Sequence, residues 1–320
     1  MRKAIKTAII LTAVWLAAGS QITDFYKGVI KAEVLPAVKH GDPLYQVIVK
    51  NAPKYTINPS DAKIDPVWKT IPGYNGIKVD VPSSYRAMKK SGRFEENKLV
   101  YEQIRPGIHL NDLPPAPIYK GNPDKPMVSF VINVAWGNEF LPDMLATLKK
   151  HNIHASFFLE GNWVKKNPEL AKMIVEAGHE VGNHSYSHPD LKHISAEKTR
   201  QELLSTNEVI EATTEVKVKW FAPPSGSYRD ETIKIANDLK MKTIMWTVDT
   251  IDWQKPSPDA IIERVVGKAG NGSIVLMHPT ASTAKALGRL ISGLERKNLT
   301  IGTISDLMNE ERIIENNPQN

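Results

Sequence analysis

From residue 127 onward the sequence predicts an α/β fold, a parallel sheet closed or nearly closed into a barrel, preceded by a small α+β N-terminal domain. Three observations carry this. Short apolar runs alternate with amphipathic helical stretches through the last two thirds of the chain, the pattern of strands covered by helices. Proline marks the boundary, because 13 of the 22 prolines lie between Pro36 and Pro126. The composition, 41% hydrophobic and 24% charged over 320 residues, is ordinary for a chain that buries a sizeable core. It excludes a disordered chain, a collagen-like repeat and a polytopic membrane protein.

Residues 1–20 read as an export signal or membrane anchor. Arg2, Lys3 and Lys6 precede an unbroken apolar run over 7–18, followed by Gly19-Ser20, the parts of a secretory signal. Cleavage after Ala17-Ala18-Gly19 and retention as a short anchor both stay open, although the run falls short of the ~20 residues that span a bilayer. The expected location is extracytoplasmic, secreted or held at the membrane through residues 1–20 alone. Net charge is +6, and three of those charges sit in this segment. The basic excess is therefore half a targeting feature, and nucleic acid is not indicated.

Residues 21–120 are expected to form the small α+β domain and a proline-rich linker. Within them 77–81 alternates like a strand, 83–90 reads as a short helix and 99–104 as a second strand. Leu113-Pro114-Pro115-Ala116-Pro117 and Gly121-Asn122-Pro123-Asp124-Lys125-Pro126 read as extended linker. The main domain is expected over 121–310, with a polar tail at 311–320. Its strands are predicted at 128–132, 155–159, near Trp220, at 243–248, 273–277 and 299–303. Helices are predicted over 140–150, from Pro168 to Gly178, and over 196–213, 231–239, 258 onward and 284–296. Asn167-Pro168 and Ser257-Pro258 supply helix starts. In barrels of this kind the chemistry sits at the C-terminal ends of the strands.

Cysteine is absent, so any metal must rest on His, carboxylate, amide or water. Three segments end strands with side chains that carry chemistry. His184 and His188 lie four apart, and on a helical turn both rings would face one metal; two surface histidines on a loop is the bland alternative. His179-Glu180 fails the His-Glu-x-x-His protease pattern because Asn183 stands in the last place. His278 closes the apolar run Ile274-Val-Leu-Met. Asp249 and Asp252 lie between Trp246 and Trp253, two carboxylates with an aromatic wall of the kind sugars stack on.

Taken together, His184-Ser-Tyr-Ser-His188, Pro223-Pro224-Ser225-Gly226, Val248-Asp249-Thr250-Ile251-Asp252-Trp253 and Leu276-Met277-His278 resemble the polysaccharide deacetylase family. This is the NodB-homology fold, carbohydrate esterase family 4, and the likeness is greatest to its exported, sporulation-associated branch in Gram-positive bacilli. The resemblance covers residues 121–310 and implies a distorted (β/α) barrel. It further implies a divalent metal, usually zinc, on His184 and His188, which polarises an acetyl carbonyl and lowers the pKa of a bound water. It makes His278 the acid that protonates the leaving amine, with Asp252 tuning it, and Trp253 and Leu276 the wall around the acetyl group. The implied partner is an N-acetylated polysaccharide, peptidoglycan or a spore or cell-surface glycan.

The first family motif departs from this pattern. The branch form Thr-Phe-Asp-x-x-Trp-Gly-Asp reads here Val131-Ile132-Asn133-Val134-Ala135-Trp136-Gly137-Asn138. The base position is Asn133, which accepts no proton. The metal aspartate position is Val134, the branch-specific acid is Asn138, and the arginine that holds the base is replaced by Ala222. An arginine left beside a neutral partner would be a poorly paired buried charge costing several kcal/mol, so the two losses are consistent with each other. Zinc is then expected to bind weakly, with water or Asn138 as third ligand, and Glu139 is the one acid beside the motif to substitute as base. Two readings follow: a degenerate deacetylase that binds glycan with little or no turnover, and a working metal-dependent hydrolase of N-acetyl bonds that lacks the usual base.

Overall fold

The structure, a computed structural model, describes residues 41–314. The predicted export segment at 1–20 and most of the predicted tail lie outside the described residues. The described residues form two compact units, one of residues 41–54 with Asp80–Val100, the other of Tyr55–Val79 with residues 101–314. In the first unit the helices Pro43–Asn51 and Val81–Met88 pack through buried Leu44, Ile48, Tyr85 and Met88. Each begins at an aspartate. Asp42 accepts the Leu44 N–H at 2.9 Å and Asp80 the Ser83 N–H at 3.0 Å, satisfying donors that a helix start leaves free.

The second unit opens with two antiparallel pairs: β1 (Lys63–Asp65) with β2 (Lys69–Ile71), and β3 (Gly76–Val79) with β4 (Tyr101–Ile104). The main sheet follows, built from β5 (Met127–Val134), β6 (Ser156–Leu159), β7 (Glu180–Asn183), β8 (Trp220–Phe221), β9 (Lys242–Thr243), β10 (Val248–Asp249), β11 (Ile274–Met277) and β12 (Thr300–Gly302). All pairs are parallel, in the order β10-β11-β5-β6-β7-β8-β9. Ser129 of β5 pairs with Ile274 of β11 and with Gly302 of β12. β12 therefore occupies the edge of β5 that β6 takes over from Val131. The result is a curled, distorted (β/α) barrel of the NodB type.

The period of two along each strand separates two cores. Val128, Phe130, Ile132 and Val134 face the helix layer with Phe157, Leu159, Val275 and Met277, against Leu141, Met144 and Leu148 of the helix Leu141–Lys150 and Leu287, Leu290 and Ile291 of the helix Ala281–Glu295. Val131, Phe158, Ile274 and Leu276 point inward with Trp220, Ala222 and Ile244. Gly182 sits on that inner face because a Cβ there would meet the Phe158 ring at 2.7 Å.

The predicted strand over 243–248 is instead two short strands. Ile244 pairs in parallel with Ile118: the Ile118 N–H donates to the Thr243 carbonyl at 2.9 Å and the Met245 N–H to the Ile118 carbonyl at 2.8 Å. The chain before the sheet thus covers the edge of β9, and the run cannot continue as one strand. Three helices, Pro43–Asn51, Gly161–Lys166 and Ile304–Met308, are additional to the predicted set. No helix among the described residues is long and apolar enough to cross a membrane.

Candidate functional site

The C-terminal ends of β5, β7, β10 and β11 surround a cavity of about 420 Å³ whose wall includes Asn133, Trp136, His184, His188, Trp253, Leu276 and His278. Six of the seven residues singled out from sequence line it, and the seventh, Asp252, lies directly behind His278. A larger groove of about 850 Å³ lies beside Lys219, Trp220 and Lys242, at the N-terminal ends of β8 and β9, away from every one of these residues.

His184 follows β7 and is buried. Its Nδ1–H donates to the carbonyl of Ala222 at 2.8 Å, which leaves Nε2 with its lone pair. Burial, with His188 beside it, lowers its pKa to about 3, so the ring is neutral. Burial also lowers His188. The two ring centroids are 5.1 Å apart. No helical turn brings them together, contrary to the spacing argument: Ser185 and His188 adopt φ of 61° and 56°, and the segment is a loop.

That loop is held by a residue the sequence reading passed over. Glu202, buried on the helix Ala196–Thr214, accepts the N–H groups of Tyr186 and Ser187 at 3.0 and 2.8 Å and the Ser187 hydroxyl at 2.9 Å. Asn183 Oδ1 takes the Ser185 N–H at 2.8 Å. A signal was present, since Glu202 falls on the buried stripe of Thr199, Leu203 and Thr206, and an acid on such a stripe needs donors.

The opposite wall is a buried dyad. Asp252 is 0% exposed and accepts the His278 Nδ1–H at 2.8 Å, the His278 N–H at 2.6 Å and the Thr283 hydroxyl at 2.6 Å. Trp136, half exposed, stacks on the His278 ring at 8° and 5.8 Å. Trp253 projects into solvent at 57% exposure, while Leu276 is buried in the wall. Gly137 turns the chain after Trp136 at φ 83°, where a Cβ would fall 2.0 Å from the Pro279 carbonyl oxygen; only glycine permits this approach.

Asn133 is 4% exposed, and its Oδ1 has no hydrogen-bond partner. Val134 lies on the other face of β5, in the outer core. Asn138 does not serve as a third ligand: its Oδ1 accepts the Trp163 Nε1–H at 2.6 Å and its amide donates to Asn167 Oδ1 at 2.7 Å. Glu139 is exposed in the turn Asn138–Phe140 and is absent from the cavity wall, so it is not placed as a replacement base. Ala222 is buried among apolar side chains.

A catalytic zinc site uses three protein ligands and one open position. Among the described residues no group of three or more His, Asp or Glu side chains is placed to hold an ion. Two imidazoles and an amide oxygen do not make that set.

A parallel distorted barrel with a two-histidine loop and an Asp–His dyad at its strand ends is the arrangement that the resemblance to the polysaccharide deacetylase family implies. The sequence profile of the polysaccharide deacetylase family matches residues 120–244. A crystal structure of a carbohydrate esterase family 4 pseudoenzyme from Bacillus anthracis is 54% identical, covers 84% of this chain and 96% of that one, and superposes with a TM-score of 0.82. A mutant of that protein with restored enzymatic activity matches at 53% identity, with the same TM-score and 84% of this chain covered. The peptidoglycan-N-acetylmuramic acid deacetylase of Bacillus subtilis is 31% identical over 200 residues, covering 61% of this chain and 76% of that protein. The chain belongs to the polysaccharide deacetylase family, and it is a deacetylase-like protein with a degenerate site.

Proposed function

We propose that this chain binds amino-sugar polysaccharide of the N-acetylated class, peptidoglycan or a spore or cell-surface glycan, outside the cytoplasm, and does not hydrolyse it. The observation that carries this is Asn133. It stands where the family's base stands, its Oδ1 is buried without a partner, and an amide takes no proton from water. General-base catalysis contributes typically ~10²–10⁴-fold, and the carboxylate of the cavity wall, Asp249, stands at the end of β10 and not at the end of β5 where the family's base stands. Deacetylases of this family are generally metal-dependent; here zinc has only His184 and His188 and is held weakly. The relatives named as peptidoglycan deacetylases support the glycan class, and the apolar run after Arg2, Lys3 and Lys6 supports export. The exposed indole of Trp253 and the half-exposed indole of Trp136 supply stacking surface for sugar rings.

A second reading, a working metal-dependent hydrolase of N-acetyl bonds that lacks the usual base, is favoured by one observation, the intact Asp252–His278 dyad. One experiment separates them. The protein is titrated with an N-acetylglucosamine oligomer by calorimetry, and acetate release is followed with added zinc. Binding without acetate is expected. Zinc-dependent acetate release at the rate of an active relative would overturn the first reading in favour of the second.

A further inference from the structure

The donor set that fails for zinc suits another cation. Asn133 Oδ1 is a buried acceptor with no partner. His184 spends its only proton on the Ala222 carbonyl, so its Nε2 is an acceptor too. Asp249, also in the wall, uses Oδ1 for the Ile251 N–H at 2.7 Å and has its second oxygen free of any partner among the described residues. No Lys or Arg lines the cavity, while Trp246 and Trp253 do. Of the other polar groups of the wall, His278 is paired with Asp252, and the His188 ring and the Ser225 hydroxyl complete the lining. The wall is thus rich in acceptors, has aromatic faces and holds no fixed cation. An ammonium group brings three donors and no acceptor, and is attracted to indole faces.

We propose that, within the polymer it binds, this cavity selects amino-sugar units that carry a free ammonium, glucosamine units that have lost the acetyl group, over N-acetylated ones. The selection rests on the glycan-binding reading above and refines it: the ligand is the product of the reaction that catalytically active relatives perform. Asn133 accepts from the ammonium, Asp249 balances its charge, and the indoles flank the ring.

The test compares glucosamine and N-acetylglucosamine oligomers of equal length, titrated calorimetrically into the full chain at about pH 6, below the usual range of amines, with a chelator present. The formal net charge of +6 opposes non-specific attraction of a cationic oligomer. The glucosamine oligomer is expected to bind at least about tenfold more tightly. That ratio is expected to collapse in Asn133→Leu and in Asp249→Asn, through loss of affinity for the glucosamine oligomer. Equal or tighter binding of the acetylated oligomer overturns the selectivity and leaves the glycan-binding reading standing. Binding of neither overturns both. A ratio unchanged in the two variants overturns the assignment to this cavity.

Discussion

His184 is oriented by the main chain of Ala222, through a 2.8 Å hydrogen bond from Nδ1–H to the carbonyl oxygen. The position where the family carries its arginine therefore still performs a second task, because that task belongs to the backbone. Exchange of the side chain leaves the histidine where it was. Asn133 and Ala222 stand where the family has its base and arginine, and the hydrogen bond that orients His184 is in place all the same.

The first prediction concerns recovery of turnover. Ala222→Arg alone places a guanidinium in an apolar pocket and is expected to cost several kcal/mol, read as a lowered urea midpoint. Combined with Asn133→Asp, the introduced carboxylate is expected to recover part of that cost. Acetate release with added zinc is then expected to rise ~10²–10⁴-fold over the unaltered protein. Purely additive stability losses with no gain in acetate would show that the two positions are not partners.

The second concerns the loop. Glu202→Leu removes the acceptor for two N–H groups and a hydroxyl at once. Donors left unmet in this partly buried loop cost up to about 1–3 kcal/mol each, so a loss of ~2 kcal/mol is expected by urea denaturation. Faster amide exchange at Tyr186 and Ser187 should accompany it. An unchanged midpoint would mean that water substitutes for the carboxylate.

The third concerns acid. Burial and the neighbouring His154 lower the pKa of His179 to about 4, and its Nδ1 accepts the Ala155 N–H at 3.2 Å. The unfolded chain takes up this proton near pH 6.5, so between about pH 6.5 and 4 the unfolded state binds more protons and stability falls as the pH falls. The contribution is fully present above about pH 6.5 and amounts to roughly 3 kcal/mol. His179→Gln is expected to flatten that part of the stability–pH curve. A curve of the same slope would assign the acid sensitivity to other groups.

The fourth concerns the turn after Trp136. Gly137→Ala is expected to destabilise by more than the ~1 kcal/mol of a left-handed alanine, because its Cβ would also strike the Pro279 carbonyl. It should also displace the indole from His278, which fluorescence would report in a background where the other exposed indoles of the described residues, Trp68 and Trp253, are replaced by leucine. An unaltered emission would mean that the stack does not depend on this turn.

The alternation of apolar runs was enough to predict the barrel, since strands buried on both faces and helices with one apolar stripe are local patterns. The break at Ile244 was not legible, because its cause is Ile118, more than a hundred residues earlier. The strand-end motifs named the cavity wall almost completely. The loop geometry of His184 and His188 was missed because spacing of four favours a helix only where the backbone is helical, and here Ser185 and His188 are left-handed. The engagement of Asn138 by Trp163 and Asn167 was equally invisible, as both partners come from elements whose packing decides the contact.

The three donors gathered on Asp252 separate what this chain has been able to lose from what it has kept. Asn133 stands at the cavity wall, and exchanging an acid for an amide there strands a single oxygen. Asp252 ties the end of β11 to the helix Ala281–Glu295 through His278 and Thr283, and its removal would orphan a main-chain N–H, a hydroxyl and a ring nitrogen together. Persistence of this dyad is then a matter of architecture. An aspartate–histidine pair held in this way answers a folding requirement before it is a sign of turnover.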